Sequence, residues 1–133
     1  MTPLGTIALI AALAAGQIET PSEHLKVLQP LIGQWVYMGP VQSDSQGIGP
    51  KGTEIIAVMT YTWAINKNAL QIHWAGKSVD KKPVQFVELI GWDGKQKKLA
   101  SQGFGSAGGV EHNVWTCEDG VVVCDTKGLN SLA

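Results

Sequence analysis

The sequence predicts an all-β protein: an antiparallel meander curling into a barrel or strongly curved sheet, incomplete by its strand count, with one short N-terminal helix. Three observations carry this. Seven short segments from Gln34 onward alternate apolar and polar residues or are rich in β-branched and aromatic side chains. Turn chemistry stands between nearly every neighbouring pair, as Asn66-Lys67, Asp93-Gly94, the glycine-rich "GSAGG" and "EDG". A single apolar face can also be carried from strand to strand without a break.

Taken in order, the chain opens on "MTPLGTIALIAALAA", which holds no charged side chain and an apolar run from Ile7 to Ala15. The run is shorter than the roughly 20 residues that span a bilayer. With small residues near Ala12 to Ala14 and polar "GQIETPSE" behind it, residues 1–16 are expected to be a secretory signal and residues 17–133 a single β domain in a secreted or periplasmic setting. No stable membrane span is expected after cleavage. "TPSEHLKVLQPLIG" follows with Thr20, Pro21 and Glu23 placed as a capping box with proline at the first helical position. Pro30 is expected to end or kink that helix near Gln29.

The strands are then "QWVYMG", "EIIAVMTYTW", "ALQIHWA", "VQFVELIGW", "KLASQGF", "VEHNVWTC" and "VVVCDT". The polar loop from Pro40 to Thr53 has no period of its own, and is expected to lie over one mouth of the sheet. A turn at Asn66-Lys67 sets Trp63 against Leu70, Tyr61 against Ile72 and Met59 against Trp74. The same face continues as Val84, Phe86, Glu88, Ile90 and Trp92. A five-residue loop "DGKQK" sets Glu88 against Gln102, and "GSAGG" sets Gln102 against His112 and Phe104 against Val110. A three-residue "EDG" turn sends Val122 and Cys124 to the face of Val114 and Thr116 and leaves Cys117 on the other, so no Cys117–Cys124 disulfide is expected. A two-residue turn would put both thiols on one face, but diagonally, which is also poor geometry.

Composition excludes several functions. Across 133 residues the net charge is −1, with no clustered basic surface to grip phosphates, so no nucleic acid is expected as a partner. All ten basic residues are lysine, which removes every bidentate guanidinium clamp. His24, His73 and His112 fall in separate elements and give no metal-ligand spacing. No cofactor is implied.

Gly33 and Trp35, placed between a short helix and the first strand, resemble the opening motif of lipocalins and their calycin relatives. "IGWDGKQKKLASQGFGSAGGVEHNVWT" (Ile90 to Thr116) is likewise similar to the hairpins of small lipocalin-like domains of exported bacterial proteins. The resemblance implies that Gly33 turns the helix into the strand and that Trp35 plugs the closed end of a barrel. Two features depart from it: no arginine exists to pair with the plug tryptophan, and such barrels close with eight or more strands where this chain has seven.

The functional expectation is an exported protein holding a small apolar or amphipathic molecule. Tyr61, Trp63, Trp74, Phe86 and Phe104 would supply contact area, and the row Glu88, Gln102 and His112 would supply polarity on the same face. Burying that row unsatisfied would cost several kcal/mol, on the order of 2–7. Two alternatives stand beside this: an interaction module, including a homo-oligomer, using an open sheet edge, and an enzyme using Glu88 and His112 as a general-base pair.

Overall fold

The computed structural model describes residues 20–45, 47–78 and 81–127; the expected signal segment lies outside them. Thr20 stands at the N-cap and Pro21 at the start of α1 (Pro21–Leu25), as the sequence predicts. The capping box itself does not form. The Thr20 side chain makes no cap, the Glu23 amide bonds the Thr20 carbonyl at 3.1 Å, and the Glu23 carboxylate pairs instead with Lys26 at 2.7 Å. Beyond Leu25 the chain tightens into a 3-10 helix, Lys26–Leu31, that contains Pro30. Among the described residues no helix is long and apolar enough to cross a membrane.

Seven strands follow in one antiparallel sheet, ordered as in the chain: β1 (Gly33–Pro40), β2 (Glu54–Ala64), β3 (Ala69–Ser78), β4 (Val84–Asp93), β5 (Lys98–Gly105), β6 (Val110–Glu118) and β7 (Val121–Lys127). The sheet curls into a half-barrel, and among the described residues β1 pairs only with β2 and β7 only with β6. The all-β meander and its incomplete closure are therefore as the sequence reads.

Two apolar clusters occupy the concave side. Leu25 and Leu28, both fully buried, seat the N-terminal helical segment as a lid on Leu70, Ile72, Ile90 and Leu99. His24 stacks on Trp92 with ring centroids 3.6 Å apart, which adds an aromatic contact between lid and sheet. At the other end the loop after β1 folds back on itself through Val41 and Thr53, and drives Ile48, 3% exposed, against Ile55, Ala57, Trp74 and Val84.

The register of β2, β3 and β4 agrees with the alternation. Tyr61 faces Ile72, Met59 faces Trp74, Trp74 faces Phe86 and Ile72 faces Glu88. The first turn is wider than predicted: Ala64 pairs with Ala69, and Ile65, Asn66 and Lys67 all take positive φ. Ile65 is a β-branched residue at φ 50°, where a left-handed backbone costs roughly 1–2 kcal/mol. Ile65→Gly is expected to raise unfolding free energy by about 1 kcal/mol in denaturant titrations, since the side chain is exposed and its burial is not lost.

From β5 onward the structure corrects the sequence reading. The connection after β4 has four residues, with Asp93 paired to Lys98, because the Asp93 carboxylate accepts the amides of Lys95 and Gln96 at 3.0 Å and Lys97 turns at φ 52°. Glu88 therefore faces Gly103, not Gln102, and every β5 side chain moves to the opposite face. Gln102 pairs with His112 and Phe104 with Val110 as expected, but both pairs stand on the convex side. The last turn also differs: Asp119 and Gly120, both at positive φ, make a two-residue hairpin, so Cys117 faces Val122 and Trp115 faces Cys124. The two thiols share a face diagonally and form no disulfide.

Trp35 is not a plug. It shares the concave side with its partner Met59 yet stays 49% exposed, because among the described residues no strand lies beyond β1; its indole donates to the Leu31 carbonyl at 2.8 Å.

Candidate functional site

Between the lid cluster and the Ile48 cluster the concave face leaves a cleft of about 410 Å³, within the size range of small-molecule sites. Its walls are aromatic and aliphatic: Met59 and Tyr61 from β2, Ile72 and Trp74 from β3, Phe86 from β4 and Trp115 from β6. Phe86 can lie flat along β5 only because residue 103 is glycine; a Cβ there would collide with the ring.

One polar node interrupts this surface. Glu88, 6% exposed, accepts hydrogen bonds from Ser101 and, at 2.7 Å, from the Asn113 amide nitrogen, both on Oε1. The Trp115 indole donates to Ser101 Oγ at 2.8 Å, and the serine O–H in turn donates a hydrogen bond to the carboxylate. Asn113 is 4% exposed, and its Oδ1 is buried with no donor. Flipping the amide would not help, since Glu88 needs the N–H side.

Glu111, two residues before Asn113, points to the same face and lines the cleft. Burial first, and then the negative charge of Glu88, push its carboxyl above the ordinary carboxylate pKa, while the Asn113 side chain pulls the other way. Burial, then Glu88 and Cys124, likewise push the Tyr61 hydroxyl up, which keeps it a donor.

The sign follows from linkage. A carboxyl whose pKa is raised by folding binds its proton more tightly in the folded state, so its favourable contribution is complete below the unfolded value, 4.5, and is lost as pH rises through the folded one. Glu111→Gln is accordingly expected to melt above the parent protein at neutral pH, with the gap closing below that value. Thermal midpoints across pH check this, and a gap that is constant or inverted contradicts it.

Of the residues that the sequence singles out, the structure brings Tyr61, Trp74, Phe86 and Glu88 together around the cleft. Trp63 instead packs on the lid cluster, with its indole on Gln29 at 3.1 Å. Gln102, Phe104 and His112 lie on the convex face and are exposed, for the register reason given above. Glu88 and His112 are therefore on opposite faces and form no acid–base pair. Ser101, Glu111, Asn113 and Trp115 are the residues missed, and Gly103, a glycine inside a strand, is the signal that points to them. Among the described residues no cluster of three His, Cys, Asp or Glu side chains is arranged to hold a metal.

No protein family, curated protein or solved structure matches the chain.

Proposed function

We propose that this protein is a lipocalin-like domain of an exported protein that binds one small amphipathic molecule on the concave face of its half-barrel. The observation that carries the reading is the cleft itself: about 410 Å³ of space among aromatic side chains, with a buried Glu88–Ser101–Asn113 node on one wall. An apolar body would lie against Trp74 and Phe86, and a polar end would reach the node. Export is supported by the apolar, uncharged run in residues 7–15.

Titration with decanol, followed through tryptophan fluorescence, tests the reading. A saturable change with one-to-one stoichiometry and a raised melting temperature is expected, and Trp74→Phe should remove much of the optical signal. A linear, unsaturable response contradicts the reading.

A second reading is favoured by the β1 edge. "GQWVYMGP" carries no charged side chain to block edge pairing, and leaves Val36 62% and Met38 74% exposed. Two copies paired through β1 would sediment as a concentration-dependent dimer, and a monomer at every concentration excludes this.

A further inference from the structure

We propose that the cleft selects a ligand whose polar end is a primary or secondary ammonium group, carried on an apolar body. The inference rests on the cleft being a ligand site and specifies the chemistry of what enters it.

The charges lining the cleft have one sign. Asp44, Glu88 and Glu111 stand on its walls, and among the described lining residues there is no lysine or histidine. Asp44 accepts the Lys51 amide on Oδ1 at 2.9 Å, while Glu88 and Glu111 are the carboxylates on the strands beside Asn113.

The hydrogen-bonding demand is also one-sided. Glu88 takes both of its donors on Oε1, so Oε2 remains an acceptor. Asn113 Oδ1 is a second acceptor, buried and without a donor, on a side chain that lines the cleft. Its amide orientation is fixed by the bond to Glu88, so with Glu111 ionised the demand calls for a donor that enters the cleft. A ligand carboxylate would bring more acceptors beside two carboxylates. An alcohol would bring one proton and no charge. An ammonium brings several N–H donors together with the missing positive charge. Tyr61, Trp74, Phe86 and Trp115 line the same space, and aromatic rings attract a cation over their faces where they repel an anion.

The test compares decylammonium, decanol and decanoate, one chain with three head groups, by calorimetry and tryptophan fluorescence at neutral pH, low salt and concentrations below aggregation. Decylammonium is expected to bind about ten-fold or more tightly than decanol, with decanoate weakest. Glu111→Gln and Glu88→Gln should each weaken decylammonium several-fold while leaving decanol close to its original affinity. Near-ultraviolet circular dichroism reports whether each variant keeps its packing; should Glu88→Gln lose it, Glu111→Gln alone carries the comparison. Equal affinities for the three head groups, or decylammonium binding that ignores Glu111→Gln, would overturn the ammonium assignment while leaving the cleft a binding site. Saturable binding by none of the three would overturn both.

Discussion

Leu28→Ala is expected to cost about 2–5 kcal/mol of unfolding free energy, the range for emptying a fully buried leucine site. Leu28 has no exposed surface and, with Leu25, is the lid helix's share of the larger apolar cluster. A five-residue α-helix continued by a 3-10 helix has little stability of its own. The lid is therefore held by what it buries, and truncating Leu28 removes much of that holding surface. Val27, next in the chain and 45% exposed, is the control: Val27→Ala should change stability by no more than about 0.5 kcal/mol. Urea titrations of both variants decide the matter, and equal effects at the two positions would contradict the lid's orientation.

The second large effect is expected at Asn113. Its amide is one of two side-chain donors to the buried Glu88 carboxylate, and hydrogen bonds to charged groups contribute roughly 1.5–3 kcal/mol. Asn113→Ala should lose that amount, because a carboxylate with one donor removed stays buried. His112→Ala, one residue away on the exposed face, should fall within about 0.5 kcal/mol of the parent. A double-mutant cycle with Glu88→Gln isolates the pair, and coupling near zero would mean that the node does not hold as described.

How much of this was legible in the sequence varied along the chain for physical reasons. In β2 to β4 the concave positions carry Met59, Tyr61, Ile72, Trp74, Phe86 and Ile90, and a slip by one residue would expose most of them, so alternation fixes the register. In β5 the concave set is Leu99, Ser101 and Gly103 and the convex set Ala100, Gln102 and Phe104. Both are mixed in polarity and size, and Phe104, 59% exposed beside Val87, biases the choice the wrong way. Register there is decided by the turn, where one aspartate capturing two amides shortens the loop by a residue. That single residue moved Gln102 and His112 out of the site and brought Ser101, Glu111 and Asn113 in. Nor could alternation show that Trp35 would be left half exposed, since its burial depends on a strand beyond β1 and not on its own position.

The β4–β5 register underlies both the polar node and the ligand chemistry, and nuclear Overhauser contacts across that pair test it most directly. Contacts from the Phe86 ring to the Gly103 α-protons, with Ser101 side-chain protons close to those of Asn113, are the predicted result. Contacts from Phe86 to the Phe104 ring, with Gln102 side-chain protons close to those of Glu88, would contradict it.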